Sequence, residues 1–168
     1  MSENSIGKFF GIVVLVITLF FVPVLLVSFR IEIIIQSQVE SVVNEYTDNW
    51  RASGRITLND YKEMYSKVSK FMDADVEITH ASRLAGFEGA EYEYYHYYNT
   101  QDILDTLSPL DNKEGNDYYL RNGDYLSVQV KNANPTYATK IARIVFKSLG
   151  NTSIYYPYGG MVGNYSEE

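Results

Sequence analysis

The most constraining feature of this sequence is an uncharged, strongly apolar run over residues 9–29. As an α-helix, a run of 21 residues has a length of roughly 31 Å, which matches the hydrocarbon core of a bilayer. Backbone polar groups inside lipid must be satisfied within the segment, so we expect a helix, kinked by Pro23. The sequence therefore predicts a transmembrane helix over residues 9–29.

The end of this run distinguishes an anchor from a cleavable signal peptide. A signal peptide has a shorter apolar core and a small-residue cleavage site, whereas this run ends in Ser28, Phe29 and Arg30. Basic residues flank it on both sides, at Lys8 and Arg30, and give little orientation. Because the downstream part is acidic and lacks cysteine, we predict residues 1–8 in the cytoplasm and an exported head over residues 54–168.

A helical stripe continues beyond the apolar run. Its apolar residues recur in steps of three and four, which is the pattern of one helix face: Ile31, Ile34, Ile35, Val39, Val42, Val43 and Tyr46, with Trp50 one turn further. Gly54 is suited to end the helix. The sequence thus predicts an amphipathic stalk helix over residues 30–53. Its stripe either packs on its own domain or, along part of its length, forms an oligomerisation surface with a neighbouring copy.

Composition excludes several function classes. The chain has 14 Lys and Arg against 21 Asp and Glu, a net charge of −7, whereas a nucleic-acid binder needs a basic patch. Absence of cysteine excludes disulfides, thiol nucleophiles and thiolate zinc sites. With 16 tyrosines, the chain is too aromatic to be disordered.

The head mixes helices and strands without regular alternation, which predicts an α+β fold with a largely antiparallel sheet. Thr57 is positioned to cap one helix, and either Asn99 or Thr100 is positioned to cap another. Alternation over residues 75–81 predicts a strand. Asn122-Gly123 lies between two apolar runs and predicts a hairpin. A helix after Asn134-Pro135 and a last strand over residues 153–158 complete the expected order.

No motif for catalysis or cofactor binding occurs in the sequence, and we expect no catalytic residue, no cofactor and no metal. His80 and His96 lie on separate predicted strands, without the spacing of metal ligands to Glu77, Glu91 or Glu93. The acidic loop over residues 111–117 has some likeness to a calcium loop, but Lys113 stands where an acid is needed. We therefore expect sheet histidines and a solvated turn.

A tyrosine-rich run over residues 91–98 is the remaining candidate for interaction. Its tyrosines point to both faces of a predicted strand, and one helix covers only one face: Tyr92, Tyr94, Tyr95, Tyr97 and Tyr98. The uncovered rings are exposed to solvent or contact a neighbour. A stacking surface for sugars and a protein interface are the two interaction hypotheses.

This arrangement resembles the pilin and pseudopilin plan: a short polar start, one apolar helix with a mid-membrane proline, an amphipathic continuation and a small α+β head. The stretch over residues 35–70, IQSQVESVVNEYTDNWRASGRITLNDYKEMYSKVSK, is similar to small TadE-type membrane-anchored proteins of Gram-positive bacteria. The resemblance implies a structural subunit that associates with other copies or other pilin-like subunits. The alternative is a tethered binding or sensor module that uses the tyrosines.

One departure from the resemblance concerns processing. Type IV prepilins resemble one another in a glycine at the cleavage site and a glutamate at the fifth mature residue. Counting from Gly7 places Ile12 at that position, and counting from Gly11 places Val16. Neither is acidic, so an unprocessed minor component is also compatible with the resemblance.

Overall fold

One long helix dominates the N-terminal third of the computed structural model. The structure describes residues 3–84, 94–108, 116–136, 139–141, 143 and 154–163. Helix α1 covers Glu3–Ser53 and contains Pro23. Within the described residues it is the one helix long and apolar enough to cross a membrane, and its most apolar window is exposed throughout. The predicted transmembrane helix therefore has the required length and composition.

Polar side chains inside the apolar part of α1 bond to the helix itself. The Thr18 hydroxyl donates to the Val14 carbonyl at 2.9 Å, and the Ser28 hydroxyl donates to the Val24 carbonyl at 2.8 Å. A hydroxyl satisfied in this way needs no water, so neither residue opposes insertion into lipid.

The chain divides into two compact units. Met1–Ile35 and Pro135–Thr152 form the first, and Gln36–Asn134 with Ser153–Glu168 form the second. From here on, the name head means this second unit, whose bounds differ from the predicted 54–168. The last part of α1, from Gln36, is therefore part of the head itself. Of the helix predicted after Asn134-Pro135, residues 139–141 and 143 are described and helical.

The head contains a four-stranded antiparallel sheet, as the α+β prediction expected. Strand β1 is Arg55–Ile56, helix α2 is Leu58–Ser69, strand β2 is Ala74–Leu84 and strand β3 is Tyr94–Tyr98. Helix α3 is Thr100–Leu107, and the remaining strands are β4, Tyr118–Tyr119, β5, Tyr125–Asn132, and β6, Tyr155–Met161. The sheet order is β3-β2-β5-β6, and β1 pairs separately with β4.

Alternating residues of the two central strands form the inner face of this sheet. On β2 the inward residues include Ile78 and His80, and on β5 Leu126, Val128 and Val130 are fully buried. Register places Ile78 opposite Val128 and His80 opposite Leu126. Leu126, Val128 and Val130 thus point to the same side of β5, as expected where apolar and polar residues alternate along a strand.

Much of the predicted oligomerisation stripe is buried inside the head. Val39, Val43 and Tyr46 have lost nearly all contact with solvent, as has Trp50 one turn further. These side chains are core residues and are unavailable to a neighbouring copy. Ile31 and Ile34 remain exposed, and Ile35 and Val42 are partly exposed. Of the two interpretations of the stripe, packing on its own domain therefore applies from Val39 onward.

Helix α1 is joined to the last strand by three polar contacts. The Tyr156 hydroxyl donates to Asn44 Oδ1 at 2.9 Å, and the Tyr158 hydroxyl lies 3.1 Å from both carboxylate oxygens of Asp48. Arg51 Nε donates to the Met161 carbonyl at 2.9 Å. These bonds hold the edge strand β6 to the helix with a defined register.

The predicted hairpin at Asn122-Gly123 is wrong, although the turn itself is present. Gly123 has a positive φ of 89°, and the Asp124 amide donates to the Arg121 carbonyl at 3.0 Å. Strand β4 pairs with β1, however, and not with β5. Both edges of β5 are occupied by β2 and β6, so no edge is left for β4.

Two helix starts follow the sequence signals. The Thr57 hydroxyl accepts from the Asp60 amide at 3.1 Å and caps α2. Asn99 and Asp102 form a reciprocal capping box at α3. Local capping chemistry therefore fixes where both helices begin.

Burial along α1 predicts opposite outcomes for two matched substitutions. Val43→Asp places an unpaired carboxylate in the core, and we expect it to destabilise the head by at least about 3 kcal/mol. Ile34→Asp adds the same charge at an exposed position, and we expect an unfolding midpoint near that of the wild type. Urea unfolding of the full chain in detergent, followed by Trp50 fluorescence, measures both. Equal destabilisation would contradict the boundary between exposed and buried helix.

Close packing at β6 generates a second prediction. A Cβ at Gly159 would lie 2.5 Å from the Leu126 carbonyl oxygen, whereas at Gly163 nothing lies within 4 Å. Gly159→Ala must displace backbone, and we expect a cost of about 1–3 kcal/mol. Gly163→Ala is the control and should leave the unfolding midpoint unchanged. Similar midpoints for the two variants would show that the two strands are not packed this closely.

Candidate functional site

The head has a pocket where the inner face of the sheet is no longer covered. Burial on β2 decreases from His80 through Ser82 to Leu84, which is half exposed. The pocket has a volume of about 520 Å³, within the range of small-molecule sites. Its buried or partly buried lining comprises His80, Tyr98, Tyr118 and Asp124, and its rim comprises Ser82, Leu84, His96, Tyr119 and Arg121.

Asp124 is at the centre of the buried side of this pocket. It is only 1% exposed, and its two oxygens accept three hydrogen bonds. Oδ1 accepts from the Arg83 amide at 3.0 Å, and Oδ2 accepts from the Arg121 amide at 2.8 Å and from His80 Nε2 at 2.8 Å. The carboxylate thus ties the turn before β5 to strand β2.

The electrostatics of Asp124 favour its charged form. Burial alone would raise the pKa of this carboxyl, but hydrogen bonds from the Arg121 and Arg83 amides and from His80 stabilise the carboxylate. The net effect is a pKa below the ordinary value of 3.8. Asp124 is therefore ionised at neutral pH, and it can only accept hydrogen bonds.

His80 links Asp124 to Tyr118. Because the carboxylate only accepts, Nε2 carries a proton, and in the neutral imidazole Nδ1 accepts from the Tyr118 hydroxyl at 2.7 Å. The His80 ring stacks on Tyr98, with ring centres 5.4 Å apart, and meets Tyr118 edge-on. Both ring nitrogens of this buried histidine are therefore satisfied.

The order carboxylate, imidazole, hydroxyl is also that of acyl-transfer triads. In those triads the hydroxyl belongs to a nucleophile that gives its proton to the imidazole. Here burial raises the pKa of the Tyr118 hydroxyl, and the neighbouring Tyr98 and nearby carboxylates add to the rise. The tyrosine keeps its proton, so this arrangement favours a closed hydrogen-bond network over nucleophilic catalysis.

Of the three carboxylates named as possible metal ligands, the described one, Glu77, does not meet His80. Glu77 is on the outer face of β2, where it lies 3.9 Å from Lys131, whereas His80 is on the inner face. Among the described residues, no group of three His, Asp or Glu side chains is close enough to hold a metal. Glu91 and Glu93 lie outside the described residues, as does the acidic loop up to residue 115.

The tyrosine run is divided between two environments. Tyr98 lines the pocket, and Tyr97 points away from it with 67% of its surface exposed. Tyr95 is partly exposed. Tyr92 and the side chain of Tyr94 lie outside the described residues. Of the three predicted tyrosines whose side chains the structure describes, Tyr98 lies in a pocket with both histidines.

Sequence reasoning missed Tyr118, Arg121 and Asp124. One signal was available: His80 falls on the inward side of a predicted strand with Val76 and Ile78, and a buried histidine requires partners. An aspartate directly after an Asn-Gly turn is also well placed to accept backbone amides. The partner of His80 was nevertheless 44 residues away and could not be identified without the fold.

Comparison with family models, with curated proteins and with solved structures finds no match to this chain.

Asp124 predicts a specific dependence of stability on pH. Because its pKa is depressed in the folded state, its stabilisation is complete above the unfolded value of 3.8 and is lost as pH falls through the folded value. In Asp124→Asn, the side-chain amide nitrogen replaces one carboxylate oxygen, so a donor faces the donors that this oxygen bound. We expect the free energy of unfolding to fall by about 1–3 kcal/mol at neutral pH. The difference in free energy of unfolding between Asp124→Asn and the wild type should narrow as the pH falls below 3.8.

Urea midpoints of the two proteins at several pH values measure this difference. Asp117→Asn is the control, because Asp117 is partly exposed and makes only a 3.4 Å ion pair with Arg55. Its free energy of unfolding should stay within about 0.5 kcal/mol of the wild-type value at each pH. A stability difference for Asp124→Asn that stays constant over the whole pH range would contradict the assignment.

Proposed function

We propose that this chain is a structural subunit or minor component of a pilus-like filament or secretion assembly, anchored by α1 in the cell membrane. In this proposal the N-terminus is cytoplasmic and the head is exported. The observation that carries the proposal is the distribution of burial along one helix. From Ile6 to Ile34 its large apolar side chains are mostly exposed, and from Val39 they form the core of the head.

The exposed part of α1 supports both anchoring and association. Most of its large apolar side chains are exposed, and such a surface requires lipid or another apolar helix. Ile31 and Ile34 extend the exposed apolar surface beyond Arg30, past the end of the predicted membrane segment. We propose that these two residues, with the partly exposed Ile35, contact a second copy or another pilin-like subunit. No catalytic residue is needed for this role.

Electron microscopy of the sheared surface fraction of producing cells tests the proposal directly. We expect filaments that contain this chain, and N-terminal sequencing shows whether cleavage occurs after Gly7, after Gly11 or not at all. Ile34→Glu should abolish filaments, because association would bury the new charge. Gln36→Glu adds the same charge two residues on, away from that helix face, and should preserve them.

A chain that forms no filaments would contradict the proposed role. If the intact chain stays in the membrane as a discrete species, and Ile34→Glu changes nothing, the filament role fails. A tethered binding or sensor module then becomes the better account. The observation that favours this second candidate is the aromatic pocket of the head, with the exposed ring of Tyr97 on the other side of the same strand.

A further inference from the structure

The lining of the pocket in the head includes three residues with polar side-chain groups: Ser82, His96 and Arg121. None of these groups makes a hydrogen bond or ion pair with any residue that the structure describes. The Arg121 backbone amide is bound to Asp124, so the position of this residue is fixed while its side chain remains available.

The exposed charge of the described pocket lining is positive although the chain as a whole is acidic. Among the described lining residues, Arg121 and Asp124 carry one charge each, and the Asp124 carboxylate is buried and occupied by three donors. Arg121 is exposed at the rim and always carries its charge. Within the described lining, a ligand therefore meets the exposed cation of Arg121 and two side chains able to donate hydrogen bonds, Ser82 and His96, in a chain of net charge −7.

The remaining lining is aromatic and suits a flat or ring-shaped molecule. Tyr98 stacks on His80 at 5.4 Å, and Tyr118 and His96 meet Tyr98 edge-on at 6.3 and 4.6 Å. Such ring faces bind sugars and aromatic rings through the same apolar contact. The aromatic side chains of the pocket suit a ring, and its hydrogen-bond donors suit an anionic acceptor. A ligand that carries both groups matches the pocket best.

We propose that this pocket binds a compact ring-bearing carboxylate, with the carboxylate on Arg121 and the ring against Tyr98. An acidic sugar and an aromatic acid share this chemistry. The inference rests on the binding role proposed above for the head, and it is independent of whether the chain enters a filament. Ser82 and His96 supply the further hydrogen bonds that orient the acid group.

Calorimetric titration of the full chain with D-glucuronate and with benzoate tests this proposal. A neutral polyoxyethylene detergent is required, because sugar-headed detergents compete for the same site. D-glucose and phenol are the uncharged counterparts, and we expect each to bind at least about 10-fold more weakly than the matching acid. Binding of the acids should weaken as salt is raised, since the rim cation is exposed.

Two variants and one control assign the binding to the pocket. Arg121→Gln keeps the amide that bonds Asp124 and should weaken carboxylate binding by about 10- to 100-fold. Ser82→Ala should weaken it by about 3- to 10-fold. Lys62→Gln removes one positive charge from the exposed face of α2, outside the pocket, and should leave the affinity unchanged.

Each outcome of the titration has a defined consequence. Binding of glucuronate alone identifies an acidic sugar, and binding of benzoate alone identifies an aromatic acid. Absence of saturable binding by both acids, or equal binding by Arg121→Gln, overturns the proposal. The filament experiment is unaffected by that failure, because Ile34 and the pocket are tested by separate variants and separate measurements.

Discussion

The structure depends on one helix whose two parts have different surroundings. The first part of α1 presents large side chains such as Phe20 to the surroundings of the chain, and the later part contributes Val39, Val43 and Trp50 to a protein core. Lipid accepts an apolar side chain at any position around a helix, whereas a protein core accepts it on one face only. Residues 9–29 are apolar on all sides, which is compatible with a transmembrane segment, and the sequence becomes amphipathic after Arg30, where the helix approaches the core.

A second constraint comes from the buried carboxylate of Asp124. A charge inside a protein is tolerated only when its hydrogen bonds are complete, and here two backbone amides and one imidazole complete them. The same bonds fix the turn before β5 against β2 and the ring of His80 against Tyr98. The shape of the pocket therefore follows from an electrostatic requirement and not from apolar packing alone.

Periodic and local features of this fold were predictable from sequence. The apolar helix, the caps at Thr57 and Asn99 and the inward side of β5 all depend on residues within a few positions of one another. Strand pairing was harder to predict from the sequence. Asn122-Gly123 correctly indicates a turn, but the partners of the flanking strands depend on which sheet edges are occupied. The pocket combines residues from β2, β3 and the segment around β4, so only the fold could bring them together.

The bonds between α1 and β6 also set an order of events during biosynthesis. Asp48 and Arg51 are made early, but their partners Tyr158 and Met161 follow 110 residues later. At about 5–20 residues per second, Asp48 and Arg51 wait roughly 5–20 s for these partners. Until then, the nascent helix lacks its polar contacts with β6. The register between α1 and β6 is therefore set only after the last strand has been synthesised.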